Sequence, residues 1–103
     1  VTEQRSFAFI DKRTIAARFA EFDAANPRIY ALLCRYADEV RAAGLSHYGV
    51  AAVFERIRWH VRVETRGDDF KLNNDFRALY ARKWIAEHPE AADFFETRER
   101  RTE

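Results

Sequence analysis

A chain of 103 residues holds one domain with a single core and is too short for two independent ones. Its 48% hydrophobic and 34% charged residues exclude global disorder, and 18 Lys and Arg against 17 Asp and Glu exclude a strongly basic nucleic-acid wrapper. A lone cysteine, Cys34, excludes an intrachain disulfide and a zinc site of several thiolates.

Residues 1–4 read as a loose end, followed by SFAFI, a short strand or an extended apolar anchor. No apolar run approaches transmembrane length and the start VTEQRSFAFIDKR lacks a secretory pattern, so a cytoplasmic protein with no membrane contact is expected. A helix is predicted from near residues 11–14 to about 24, with Ile15, Phe19 and Phe22 on one stripe. NPR then restarts the chain: Asn26 is expected to cap orphan amides, and Pro27 fits the first helical position without losing a needed hydrogen bond. Ile29, Leu33, Tyr36, Ala37 and Val40 supply the next apolar face, and Cys34 beside them reads as a buried structural thiol. Gly44 ends this helix, because glycine accepts the left-handed conformation common there.

LSHYGVAAVFERI reopens a helix, with Ser46 as the expected cap and Val50, Val53, Phe54 and Ile57 facing inward. Beyond Ile57 two periods compete. A continuing helix keeps Val61 on the inner face and pairs Glu55 with Arg58 and Arg62 at helical spacing, whereas Trp59, Val61 and Val63 alternating with His60 and Arg62 suit a small β-hairpin over residues 59–72. The helix is preferred and the hairpin kept as the alternative. Asn73, Asn74 or Asp75 caps the following helix, whose inner side is Leu72, Phe76, Leu79 and Tyr80. EHPEAADFF repeats the proline start at Pro89 and opens a short last helix that docks Phe94 and Phe95, and residues 99–103 read as a second loose end. The product is an all-α single domain over residues 1–103, a compact bundle of about five helices with a helix-turn-helix-like middle.

Arginine is concentrated in that middle. Residues 36–57 form helix, turn and helix, with Gly44, Leu45, Val50 and Val53 at offsets compatible with a helix-turn-helix core, although Val40 stands where a small residue is usual. His47 and Tyr48 would open the recognition helix; Arg56, Arg58, Arg62, Arg66 and Lys71 would contact phosphates, and Trp59 would stack on a base or a sugar. The plainer alternative solvates the helix with these arginines, pairs them with Glu55 and Glu64, and packs Trp59 on a neighbouring helix. Asn73 and Asn74 likewise either cap and turn the chain or join Arg77, Tyr80 and Trp84 in a second recognition patch. Catalysis has little to build on. Asp68, Asp69 and Asp75 form no paired acidic motif, His47, His60 and His88 lack metal-ligand spacing, and no glycine-rich phosphate loop exists, so no enzyme, cofactor or metal is expected.

The stretch FKLNNDFRALYAR, with the preceding IRW and the following HPEAADFFETR, resembles a group of small uncharacterised bacterial and phage or prophage proteins, over about residues 50–98. Asp75 stands where that pattern has a further asparagine. The resemblance implies an accessory protein of a mobile element and carries no activity with it. The partners this sequence suggests are duplex DNA, or another protein in an interaction module, with a homodimer as a further expectation.

Overall fold

The computed structural model describes residues 14–65 and 71–96. Four α-helices run in order: α1 Ile15–Ala25, α2 Pro27–Ala42, α3 Val50–Trp59 and α4 Arg77–Glu87. A π-helical turn, His60–Glu64, prolongs α3, and 3-10 turns at Asn74–Phe76 and Pro89–Ala91 flank α4. The all-α expectation holds; the count of five does not, because Pro89 opens a single 3-10 turn and the chain then turns back to bury Phe94 and Phe95. The hairpin is replaced by helix through Glu64, and no strand or sheet forms among the described residues. The SFAFI segment, both expected loose ends, Arg66, Asp68 and Asp69 lie outside the described residues.

Local chemistry sets the ends of the helices. Thr14 caps α1 by accepting the Ala17 amide at 3.0 Å. Asn26 acts at the other end of α1 from the one expected: its backbone amide and its side-chain Nδ2 both donate to the Phe22 carbonyl, so it closes α1 instead of capping α2. Pro27 alone starts α2, as a residue with no amide to satisfy. Gly44, at φ +97°, ends α2 with Gly44 N donating to Arg41 O and Leu45 N donating to Val40 O, the paired bonds of a Schellman closure. Ser46 is no cap: α3 begins four residues later, after Gly49, without a side-chain cap. The connection over residues 43–49 is longer than the tight turn of a helix-turn-helix. Within it Tyr48 N donates to Phe94 O at 2.9 Å, so an extended residue here is stitched to the end of the described chain.

One core joins the elements. Ile29, Leu33, Tyr36 and Ala37 of α2 meet Val53, Phe54 and Ile57 of α3, and the stripe continues to Val61 on the π-helical turn. From α4 come Tyr80, Ala81 and Trp84, with Leu72 and Phe76 ahead of them and Phe94 and Phe95 after. Phe19 and Phe22 dock α1 on this body through edge-on and tilted contacts with Phe76, and Phe19 also meets Tyr80 at 4.7 Å.

Candidate functional site

The π-helical turn carries Arg62 and, through Glu64, engages Arg56 of α3. Its wide geometry shows in Thr65 N, which donates to His60 O five residues back, while the Thr65 hydroxyl donates to Val61 O. Three β-branched residues, Val61, Val63 and Thr65, crowd this segment and disfavour a tighter helix. On one side of the turn, Glu64 bridges Arg56 at 3.2 Å and His60 at 2.8 Å. The hydrogen bond with His60, and then that with Arg56, holds the Glu64 carboxyl below the usual carboxylate range, and Glu64 in turn raises the guanidinium of Arg56. Arg56 also lies 4.6 Å from the centre of the Tyr36 ring, with His60 edge-on to that ring.

Arg58 points the other way and works as a strap. Its Nη2 donates to the Leu72 carbonyl and to Asn74 Oδ1, each at 2.6 Å, and its Nη1 pairs with Glu55. The strap ties α3 to the segment that leads into α4. The two asparagines therefore divide their work. Asn73 accepts the Asp75 amide at 2.8 Å and caps the 3-10 turn, while Asn74 receives Arg58 and its carbonyl accepts Arg77 Nε. Arg58, Arg62 and Lys71 line a groove of about 260 Å³ over Val61 and Leu72.

Trp59 departs from the plainer reading. It is 56% exposed, and Val63, four residues on, is 50% exposed. Tyr80 and Trp84, expected in the second patch with Asn73, Asn74 and Arg77, are instead fully buried. Trp84 is stacked on His88 at 4.1 Å and wedged against Phe94 and Phe95, because it continues the Phe76 and Tyr80 stripe of α4. His47 and Tyr48 sit apart from the arginines, in an open groove of about 610 Å³ shared with Gly49, Ala92, Asp93, Phe95 and Glu96. Only the excess of acids after Pro89 hints at this groove in the sequence.

A second polar cluster joins α1, α2 and α4 and escapes sequence reading, since its members lie far apart along the chain. The Tyr30 hydroxyl donates to Glu87 at 2.7 Å, Lys83 pairs with Asp23, and the Lys83 ammonium lies 4.1 Å from the Tyr30 ring centre. Burial, then the Glu87 hydrogen bond, raises the Tyr30 phenol, and burial also raises the Cys34 thiol.

Among the described residues, no group of three or more His, Cys, Asp or Glu is placed to hold a metal ion, and no helix is long and apolar enough to cross a membrane. The chain matches no family model, no curated protein and no solved structure.

Proposed function

We propose that the domain is a small, non-catalytic accessory module that holds another protein through the face around Trp59, in the service of a mobile element of the kind its FKLNNDFRALYAR stretch resembles. The exposure of Trp59 beside Val63 carries this reading. A single exposed apolar side chain means little. A tryptophan one helical turn from an exposed valine, on a helix that also carries arginines, has the aromatic centre of a protein interface. Arg56 and Arg58 support the same choice, since each is engaged by a carboxylate of the chain, and a phosphate would have to compete with it.

The test is capture of protein and nucleic acid from a bacterial extract on the immobilised chain and on Trp59→Ala, each eluted with rising salt. Protein held by the parent chain and lost from Trp59→Ala is the expected result. Nucleic acid held equally by both, and released steeply by salt as condensed counterions return, would overturn it. That outcome would favour duplex DNA contact through Arg56, Arg58, Arg62, Arg66 and Lys71.

A further inference from the structure

The four helices do not share the core equally. α2, α3 and α4 each carry three or more buried residues, whereas α1 carries none, and its Ile15, Phe19 and Phe22 are partly buried against a core the others enclose. Phe19 and Phe22 lie on Phe76, and Phe19 also on Tyr80. The Tyr80 ring has support without α1, because Tyr30 of α2 stacks on it and Phe54 of α3 meets it edge-on. Across the seam, Asp23 of α1 pairs with Lys83 of α4. Two polar atoms there work against docking: the Tyr80 hydroxyl and Arg18 Nε are buried without a hydrogen-bond partner. Burial, and then the nearby Asp23 carboxylate, raises the Tyr80 phenol. Lifting α1 returns both atoms to water.

A hinge stands at the right place. Asn26 is the single residue between α1 and α2, and its amide and side chain both donate back to the Phe22 carbonyl, so its side chain ties nothing in α2. The ring of Pro27 fixes the next φ, which leaves the swing to Asn26. We infer that α1 is a lid that swings off the body about Asn26, with Asp23 and Lys83 as its clasp, and uncovers Phe76 and Tyr80 while α2, α3 and α4 stay assembled. The inference stands apart from the reading of the Trp59 face. An element docked through partly buried side chains opens at lower free energy than the body it sits on, and a free helix as short as α1 frays in water.

Hydrogen exchange of the full chain, followed amide by amide by NMR, tests this. The amides of Phe19 and Phe22 should exchange at least tenfold faster than those of Leu33 and Ile57 and respond less to low urea, since opening exposes less surface than unfolding. Leu33→Ala separates the lid from global unfolding: it should speed exchange in α2 and α3 and leave the α1 rates where they were. Ile57→Val serves the same purpose should Leu33→Ala fail to fold. Asp23→Asn should lower the protection of α1 several-fold. Amides of α1 that exchange no faster than the core, or that speed up in step with it in the core variant, overturn the lid; protection of α1 unmoved by Asp23→Asn overturns the clasp.

Discussion

Trp84 and Trp59 both follow basic residues on helices, yet one is sealed and the other stands in solvent. Their neighbours one turn away decide the difference. Trp84 has Tyr80 four residues before it and Ala81 three before it, both buried, so it falls on the inward stripe of α4. Trp59 has Glu55 and Arg56 at those distances, while the inward stripe of its helix passes through Phe54, Ile57 and Val61. Composition around a tryptophan thus says little about its role, and its angular position on the helix says most.

Truncation should separate the two halves of this comparison. Trp84→Ala is expected to destabilise the domain by about 3–5 kcal/mol, as large aromatic deletions from a packed core do. Urea denaturation reads this directly, and a loss under about 1 kcal/mol would place Trp84 outside the core. Arg58→Gln should come next, at about 1.5–3 kcal/mol, because it removes charge-assisted bonds to the Leu72 carbonyl and Asn74. If unfolding free energy does not change, the strap between α3 and the approach to α4 is not holding the fold. Asn73→Ala is expected to cost about 0.5–2 kcal/mol through loss of its cap. Asn74→Asp, measured beside it, should keep an acceptor for Arg58 and stay close to the parent.

Much of this contrast is legible in the sequence. The stripes through Ile29, Leu33 and Tyr36 and through Val53, Phe54 and Ile57 follow from helical spacing alone, and so do Pro27 and Gly44 as start and stop. Trp59 is harder to place: the plainer helix reading packs it on a neighbouring helix, and the competing strand period puts Ile57, Trp59 and Val61 on one face. Only the wide turn at His60–Glu64 resolves that conflict, and no residue period announces a π-helical turn. Asn26 misleads for a different reason. It stands between two helices, and its amide group satisfies the carbonyl behind it as readily as the amides ahead. The groove at Tyr48 and Phe95 shows in the sequence only as the excess of acids after Pro89, because nearly half the chain separates its walls.

The Glu64 bridge gives a smaller, pH-dependent test on the exposed side of the comparison. Its carboxyl is held low in the folded chain by His60 and Arg56. The stabilisation is therefore complete above the unfolded carboxylate value and is lost as pH falls through the lowered folded value. Glu64→Gln should flatten the acid limb of a stability profile followed by circular dichroism. Parallel acid limbs for the two proteins would show that the bridge contributes nothing.

The central claim is that Trp59 is held outside the core, and urea denaturation of Trp59→Ala tests it most directly. An unfolding free energy within about 0.5 kcal/mol of the parent chain is predicted, as for surface substitutions that touch no structural feature. A loss of about 2 kcal/mol or more, the scale of a side chain taken from a packed interior, would contradict it and return Trp59 to the core alongside Trp84.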